Sequence, residues 1–213
     1  MKLPEERWVV TLKESPERTE SCLEQLKLNN LEGFKMFYGY TPKQDGFYDE
    51  IDRNFVVKNR DIKPGGLGSY LSAYKLWQLL YKKEVESAWI IEDDIYFRPG
   101  WLEFIQSIPE MNYDLITFSS FNRVAKEEPN KDDLLVFKGS SVVYKCNQVY
   151  SQLSYFISRR GLKTALDEMK VITERTKDRN FAKHVLPKIN SHSVYPSVCV
   201  QRAELESVRQ KYK

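Results

Sequence analysis

Ala88-Trp89-Ile90-Ile91-Glu92-Asp93-Asp94-Ile95-Tyr96-Phe97 is the stretch on which the architecture of the chain turns. Four apolar residues run into three consecutive carboxylates, and an apolar run resumes at once. A short run of this length, rich in β-branched and aromatic residues, reads as a buried strand. Three acids at its end are costly, because like charges repel and each carboxylate loses hydration. Two readings offset that cost. Carboxylate oxygens suit a hard divalent cation such as Mg2+ or Mn2+. Alternatively, the acids cap the strand and pair with nearby Lys or Arg. Ligands of open α/β sheets bind beyond the carboxyl ends of strands, where these acids would lie. The first reading therefore points to a metal site that holds a phosphorylated ligand.

Upstream, Arg7 to Leu12 reads as a buried strand. Ser15 then suits an N-cap, Pro16 the first helical position and Glu17 the positive end of the helix dipole. Cys22, Leu23 and Leu26 supply an apolar helical face ending near Asn29-Asn30. Phe34 to Tyr38 is a second strand, closed by Gly39. Strand, helix, strand favours a parallel α/β sheet. Residues 41 to 63 read as a long surface connection with a short helix. Lys63-Pro64-Gly65-Gly66-Leu67-Gly68-Ser69 reads as a glycine-rich loop opening a helix to about Lys83. Such a loop can present N–H groups to an anion, or simply let helix and sheet approach. It is neither a P-loop nor GxGxxG.

Downstream, Trp101, Phe104 and Ile105 mark a short helix ended by Pro109, and Tyr113 to Phe118 is a strand. Ser119 to Asp133 reads as a polar excursion. Leu134–Phe137 and Ser141–Tyr144 read as strands turning at Gly139, with Tyr150–Ile157 a third member of a β-rich part. Helices follow over 159–169 and 174–186, then an extended segment from Val194 to Gln201.

The 213 residues, 41% of them hydrophobic, suit one large domain. With 33 basic and 30 acidic residues, the formal charge of +3 argues against a dedicated nucleic-acid binder. Cys22, Cys146 and Cys199 form no CxxC pair, so neither a zinc site nor a disulfide scaffold is indicated, and a reducing compartment is expected. No long apolar segment is present for export or for spanning a bilayer, so a soluble cytoplasmic protein without a membrane span is expected. A place as one domain of a longer polypeptide also fits.

Several segments, in order, resemble glycosyltransferase family 25, the group of bacterial lipo-oligosaccharide and collagen galactosyltransferases. Val9-Val10-Thr11-Leu12 with Ser15-Pro16-Glu17-Arg18 is similar to the family's opening strand and Ser-Pro-x-Arg helix start. Phe37-Tyr38-Gly39, Gly65 to Ser72, Ile91-Glu92-Asp93-Asp94 and Tyr155 to Gly161 resemble its further motifs. Gly66, Ser69 and Ala73 depart from the family's Glu, Cys and His, which bears on acceptor and donor choice. A virus-encoded relative within the group is a further expectation. The resemblance implies a GT-A fold: an α/β domain with a mixed, mainly parallel sheet flanked by helices and a small β-rich acceptor-side part. It implies a single domain over 1–213, with a nucleotide-sugar-binding half (1–118) and an acceptor-side half (119–213). It also implies a UDP-sugar donor of UDP-glucose or UDP-galactose type, Mn2+ or Mg2+ at a DxD-type motif, inversion, and a glycan or glycoprotein acceptor.

On that basis Asp94 is expected to contact the metal, with Glu92 as metal, metal-water or ribose ligand and Asp93 as its alternate. Thr11, Leu12, Arg18, Tyr38, Gly68, Ser69 and Ser72 are expected to line the donor. Arg18 can equally be a solvated helix residue, Tyr38 a core aromatic and Ser72 a packing residue. An inverting reaction needs a general base. Asp178 resembles the family's C-terminal acidic position, and Asp93 and Asp114 are its rivals. His184 and His192 are candidate third metal ligands or structural residues. The competing classes are a metal-dependent nucleotidyltransferase or phosphate-ester enzyme, and a non-catalytic nucleotide-sugar-binding module.

Overall fold

The computed structural model describes residues 1–119, 134–138, 141–146 and 151–202. The chain begins β1 (Glu6–Thr11), α1 (Pro16–Leu28), β2 (Phe34–Tyr38), α2 (Phe47–Asn54), β3 (Val56–Val57) and α3 (Pro64–Lys82). It continues β4 (Ser87–Glu92), β5 (Ile95–Phe97), α4 (Trp101–Ser107), β6 (Leu115–Thr117), β7 (Leu134–Lys138) and β8 (Ser141–Lys145). Next come β9 (Ser154–Ser158), α5 (Arg159–Glu168), β10 (Val171–Ile172), α6 (Lys177–His184), β11 (Ser191–Tyr195) and β12 (Cys199–Gln201).

Among the described residues, eight strands form the central sheet in the order β2-β1-β4-β9-β6-β11-β8-β7. β1 lies parallel to β2 and β4, and β6 to β11, while β9 and β8 run against their neighbours. This is the expected α/β architecture of a GT-A fold, a mixed sheet with most strands running one way.

Side chains of a strand alternate between faces, and β4 uses both. Ala88 and Ile90 join Trp8, Tyr155 and Ile157 in a core under α2, α3, α5 and α6. Trp89 and Ile91 join Val9, Ile116 and Phe156 in a second core with α1 and α4. A strand apolar on both faces is therefore what a central position demands.

Several expectations change. The glycine-rich segment is not a loop. Gly65, Gly66 and Gly68 lie inside α3, and close packing explains two of them. A Cβ on Gly68 would come within 2.7 Å of the Tyr40 carbonyl oxygen, and one on Gly66 within 3.2 Å of Ile62. Residues 41 to 63 are less a surface connection than expected, because α2 buries Phe47 and Ile51, and Phe55 follows them inward. β9 is not an outlying strand, since it pairs with β4 and β6 at the centre of the sheet. The later helix is α6, shorter than expected and followed by a tight 3-10 turn at Leu186–Lys188. Ser15 takes the N-cap position without a side-chain cap. The excursion after Ser119 and the turn at Gly139 fall outside the described residues.

Candidate functional site

From β1 the chain crosses to β2 on one side and later returns to β4 on the other. The crevice at the carboxyl ends of β1 and β4 is thus a topological switch point. Register sets Val10 opposite Glu92, and the Asp93 N–H donates to the Val10 carbonyl at 3.2 Å. β4 ends at Glu92. Asp93 and Asp94 form a turn, and β5 leaves the central sheet to pair with β12. Strand alternation ends with Glu92, so the three acids take three environments.

Asp93 is 5% exposed. It accepts from Thr11 Oγ1 at 2.7 Å and from Arg18 Nε at 2.8 Å, with Arg18 Nη2 as a second donor. Arg18 Nη2 also lies 2.9 Å from Asp94 Oδ2, which accepts from Gln201 Nε2 at 2.7 Å. The Arg202 N–H donates to the Asp94 carbonyl at 2.8 Å. Asp94 Oδ1 is buried and has no partner among the described residues. Arg18 stands in the first turn of α1, where a cation opposes the helix dipole, and the two carboxylates offset that. Burial pushes the Asp93 and Asp94 carboxyls above the ordinary range, Glu92 adds to the push, and Arg18 pulls both back. Burial works against the Arg18 charge as well, but Asp93 and Asp94 hold its pKa above the usual value.

Glu92 is partly exposed and accepts from Lys177 Nζ at 3.0 Å. Lys177, buried in the first turn of α6, also lies 3.7 Å from Asp178 Oδ1. The approach of α6 is fixed by Asn180, which accepts from the Thr173 and Glu174 N–H groups and donates to the Val171 carbonyl. Beneath the lysine, Tyr155 accepts from Trp77 Nε1, and burial pushes its hydroxyl up to about 12.

The fold thus gathers Thr11, Arg18, Asp93 and Asp94 into one set of polar contacts and Glu92, Lys177 and Asp178 into a second, with Glu92 next to Asp93 in the chain. Arg18 turns toward the acids. Ser72, Gly68, Tyr38 and Leu12 meet other segments. Ser72 accepts from the Tyr40 N–H at 2.8 Å and donates to the Gly68 carbonyl at 2.6 Å, fixing α3 against the segment after β2. Gly68 touches the same segment, and Ser69 lies beside it on α3. Tyr38 is 47% exposed at the end of β2, with Lys13 Nζ over its ring. The Leu12 carbonyl accepts from the Ser15 N–H. Asp114 precedes β6, at the opposite end of the sheet. There it meets Arg160 in a paired bond and accepts from Ser158 Oγ and the Asn190 N–H. It is a structural anchor. His184 bonds Thr173 Oγ1, and His192 lies buried near the start of β11.

Lys177, Gln201 and Gln152 were not singled out by the sequence. Lys177 carries one mark, a cation at a helix start, which calls for an acid partner. Gln201 reaches Asp94 only through the β5–β12 pairing, which no local pattern announces.

Among the described residues no three His, Cys, Asp or Glu side chains form a ready-made metal cage. A cage is not required, since Mg2+-type ions use one or two carboxylates plus phosphates and water. The two ion-pair sets together hold four acids and two bases, a formal excess of two negative charges that a divalent ion would cancel. With the unpartnered Asp94 Oδ1, that composition fits such an ion.

Among the described residues no helix is long and apolar enough to cross a membrane. The chain is 25% identical over 178 residues to a "Glycosyltransferase 25 family member" of Aedes aegypti, covering 76% of this chain and 28% of that one. It is 28% identical over 140 residues to "Procollagen galactosyltransferase 1" of Danio rerio, covering 63% and 20%. It therefore spans less than a third of these curated relatives. A solved glycosyltransferase involved in glycosylation of the major capsid of PBCV-1 is similar at 11% identity and TM-score 0.47, covering 97% of this chain and 96% of that one. The model of "Glycosyltransferase family 25 (LPS biosynthesis protein)" matches residues 5–181, most of the sequence, and the chain belongs to that family.

Proposed function

We propose that this domain is a metal-dependent glycosyltransferase that moves a hexose from a UDP-sugar to a hydroxyl of a glycan or glycoprotein, with inversion. The observation that carries the reading is the acid triplet at the β1/β4 switch point, with Asp94 Oδ1 buried and unpartnered. Family membership supports sugar transfer, and the Danio rerio relative's name supports a galactose or similar hexose donor.

Asp94 would hold the divalent ion through Oδ1, with Glu92 as second carboxylate, while phosphate oxygens and water complete its shell. When bound, the ion supplies Lewis-acid stabilisation of the departing diphosphate. Arg18 fixes Asp93 and the second oxygen of Asp94, so the free oxygen keeps one orientation. Thr11 completes the shell of Asp93, which leaves Asp93 a supporting residue. Asp178 is the candidate base: at the start of α6, it would accept the proton from the acceptor hydroxyl as that oxygen attacks the anomeric carbon. Lys177 ties that residue to Glu92.

Calorimetric titration of UDP, UDP-glucose, UDP-galactose and UTP, with Mn2+ and then with EDTA, tests this. Binding of the UDP compounds is expected to need metal and to fall at least tenfold in a folded Asp94→Asn variant. Tighter binding of UTP than of any UDP compound would favour a nucleotidyltransferase. Unchanged binding in Asp94→Asn would overturn the site.

A further inference from the structure

Gln152 is buried, 3% exposed, and among the described residues neither its amide nitrogen nor its amide oxygen has a partner. Its backbone neighbours, by contrast, are tied down. The Glu92 N–H donates to the Leu153 carbonyl at 2.8 Å. On the other side, Ser151 Oγ meets Ser119 Oγ at 3.3 Å, and the Thr117 hydroxyl faces the Ser119 and Ser151 carbonyls. A fixed backbone thus carries a side chain with two donors and two acceptor sites unused. Buried amides are nearly always satisfied, and one that is not calls for an explanation such as an absent ligand.

Its place in the sheet gives the class of ligand. β9 runs antiparallel to β4 with Ser154 opposite Ile91, and the next bond joins Leu153 to Glu92. Gln152 stands one residue before that bond, at the carboxyl end of β4 where Asp93 and Asp94 turn away from the sheet. A diphosphate held by the triplet would therefore bring its attached hexose beside this amide. A primary amide complements a sugar hydroxyl, because each group both donates and accepts. We infer that Gln152 reads a hydroxyl of the donor hexose and sets which UDP-hexose the domain accepts, an assignment that rests on the donor-site reading above.

The test compares wild type with Gln152→Met, an apolar side chain of similar length. Kd values for UDP, UDP-glucose and UDP-galactose are measured by calorimetry with Mn2+, together with the melting temperature of the free protein. Losing a partner that a site was built to bond weakens the preferred ligand, here by about tenfold for one neutral pair. Wild type is expected to rank the two UDP-hexoses. In the variant the preferred one weakens about tenfold and the ranking collapses, while UDP affinity and melting temperature hold or the latter rises. A structural amide would give the reverse, a lower melting temperature with the ranking intact, and would overturn the assignment. So would a wild type that binds both hexoses alike. If wild type fails to bind UDP at all, the donor-site reading itself falls, an outcome distinct from the other two.

Discussion

Arg18→Met removes a charge while keeping most of the apolar stem, so it isolates the ion pair from packing. Arg18, Asp93 and Asp94 have side chains only 10%, 6% and 5% exposed. Solvent screening is therefore weak, and the surface-pair value of roughly 0–1 kcal/mol does not apply. Removing one partner of a buried pair leaves uncompensated charge and costs about 3–5 kcal/mol. At roughly 2–4 °C per kcal/mol for a domain of this size, the melting temperature should fall about 6–20 °C. The loss should depend on pH. Without Arg18, burial and the Glu92 charge are opposed only by the Thr11 and Gln201 bonds, so the folded pKa values of the two carboxyls rise further above the unfolded ones. A group shifted in that direction contributes stability that is present below the unfolded pKa and lost as pH rises through the folded one. The deficit relative to wild type is accordingly expected to be larger at pH 8 than at pH 5. Urea unfolding at both pH values, followed by circular dichroism, measures it. A loss under about 1 kcal/mol at pH 8, the scale of an exposed pair, would refute the claim that Arg18 holds Asp93 and Asp94 together.

Two further outcomes follow from the packing. Burial would raise the Asp114 pKa, but Arg160, the Asn190 N–H and Ser158 Oγ together hold it below the ordinary carboxylate value. Its contribution is thus present above the unfolded pKa of about 3.9 and lost as pH falls through the lower folded value. Acid unfolding of Asp114→Asn should lack that component, and an acid-side stability slope equal to wild type would contradict the assignment. Gly68→Ala gains about 0.5–1 kcal/mol of helix propensity, yet its Cβ would sit 2.7 Å from the Tyr40 carbonyl. A net loss of about 1–3 kcal/mol is expected in urea unfolding, and a net gain would show that α3 can back away from that segment.

How much of this was legible in the sequence follows from where the information lies. β1, α1, β2, β4 and α5 are local features, set by short apolar runs, Pro16 at a helix start and apolar spacing along a helix. Each appears within a residue or two of its expected bounds. The glycines misled because Gly66 and Gly68 serve a close helix contact, and conformational freedom and close approach leave the same mark in a sequence. β9 misled because sheet order is non-local: its own residues say strand, while the position between β4 and β6 depends on partners tens of residues away. The site divides in the same way. Glu92, Asp93 and Asp94 stand out as consecutive charges in an apolar run. Their partners Lys177 and Gln201 come from α6 and β12 and become visible only when those elements dock.

The two readings of the triplet, ion pairing and metal binding, prove compatible in this geometry. Arg18 takes both oxygens' worth of bonding at Asp93 with Thr11, and only one oxygen of Asp94. Lys177 takes Glu92 and approaches Asp178. The two cations fix the acids in place without neutralising the cluster, which keeps its excess of two negative charges. A nucleoside diphosphate is itself anionic and would be repelled from such a site in the absence of a further cation. If the donor reading holds, nucleotide and divalent ion must therefore bind with positive coupling, and linkage makes that coupling reciprocal. The Mn2+ affinity should rise with UDP by the same factor by which UDP affinity rises with Mn2+. Arg18 enters this balance as well. It supplies one of the two cations, so Arg18→Met deepens the negative excess and should increase the dependence of UDP binding on metal. A site in which Arg18 itself were the phosphate clamp would show the opposite, weaker UDP binding at every Mn2+ concentration with the metal dependence unchanged.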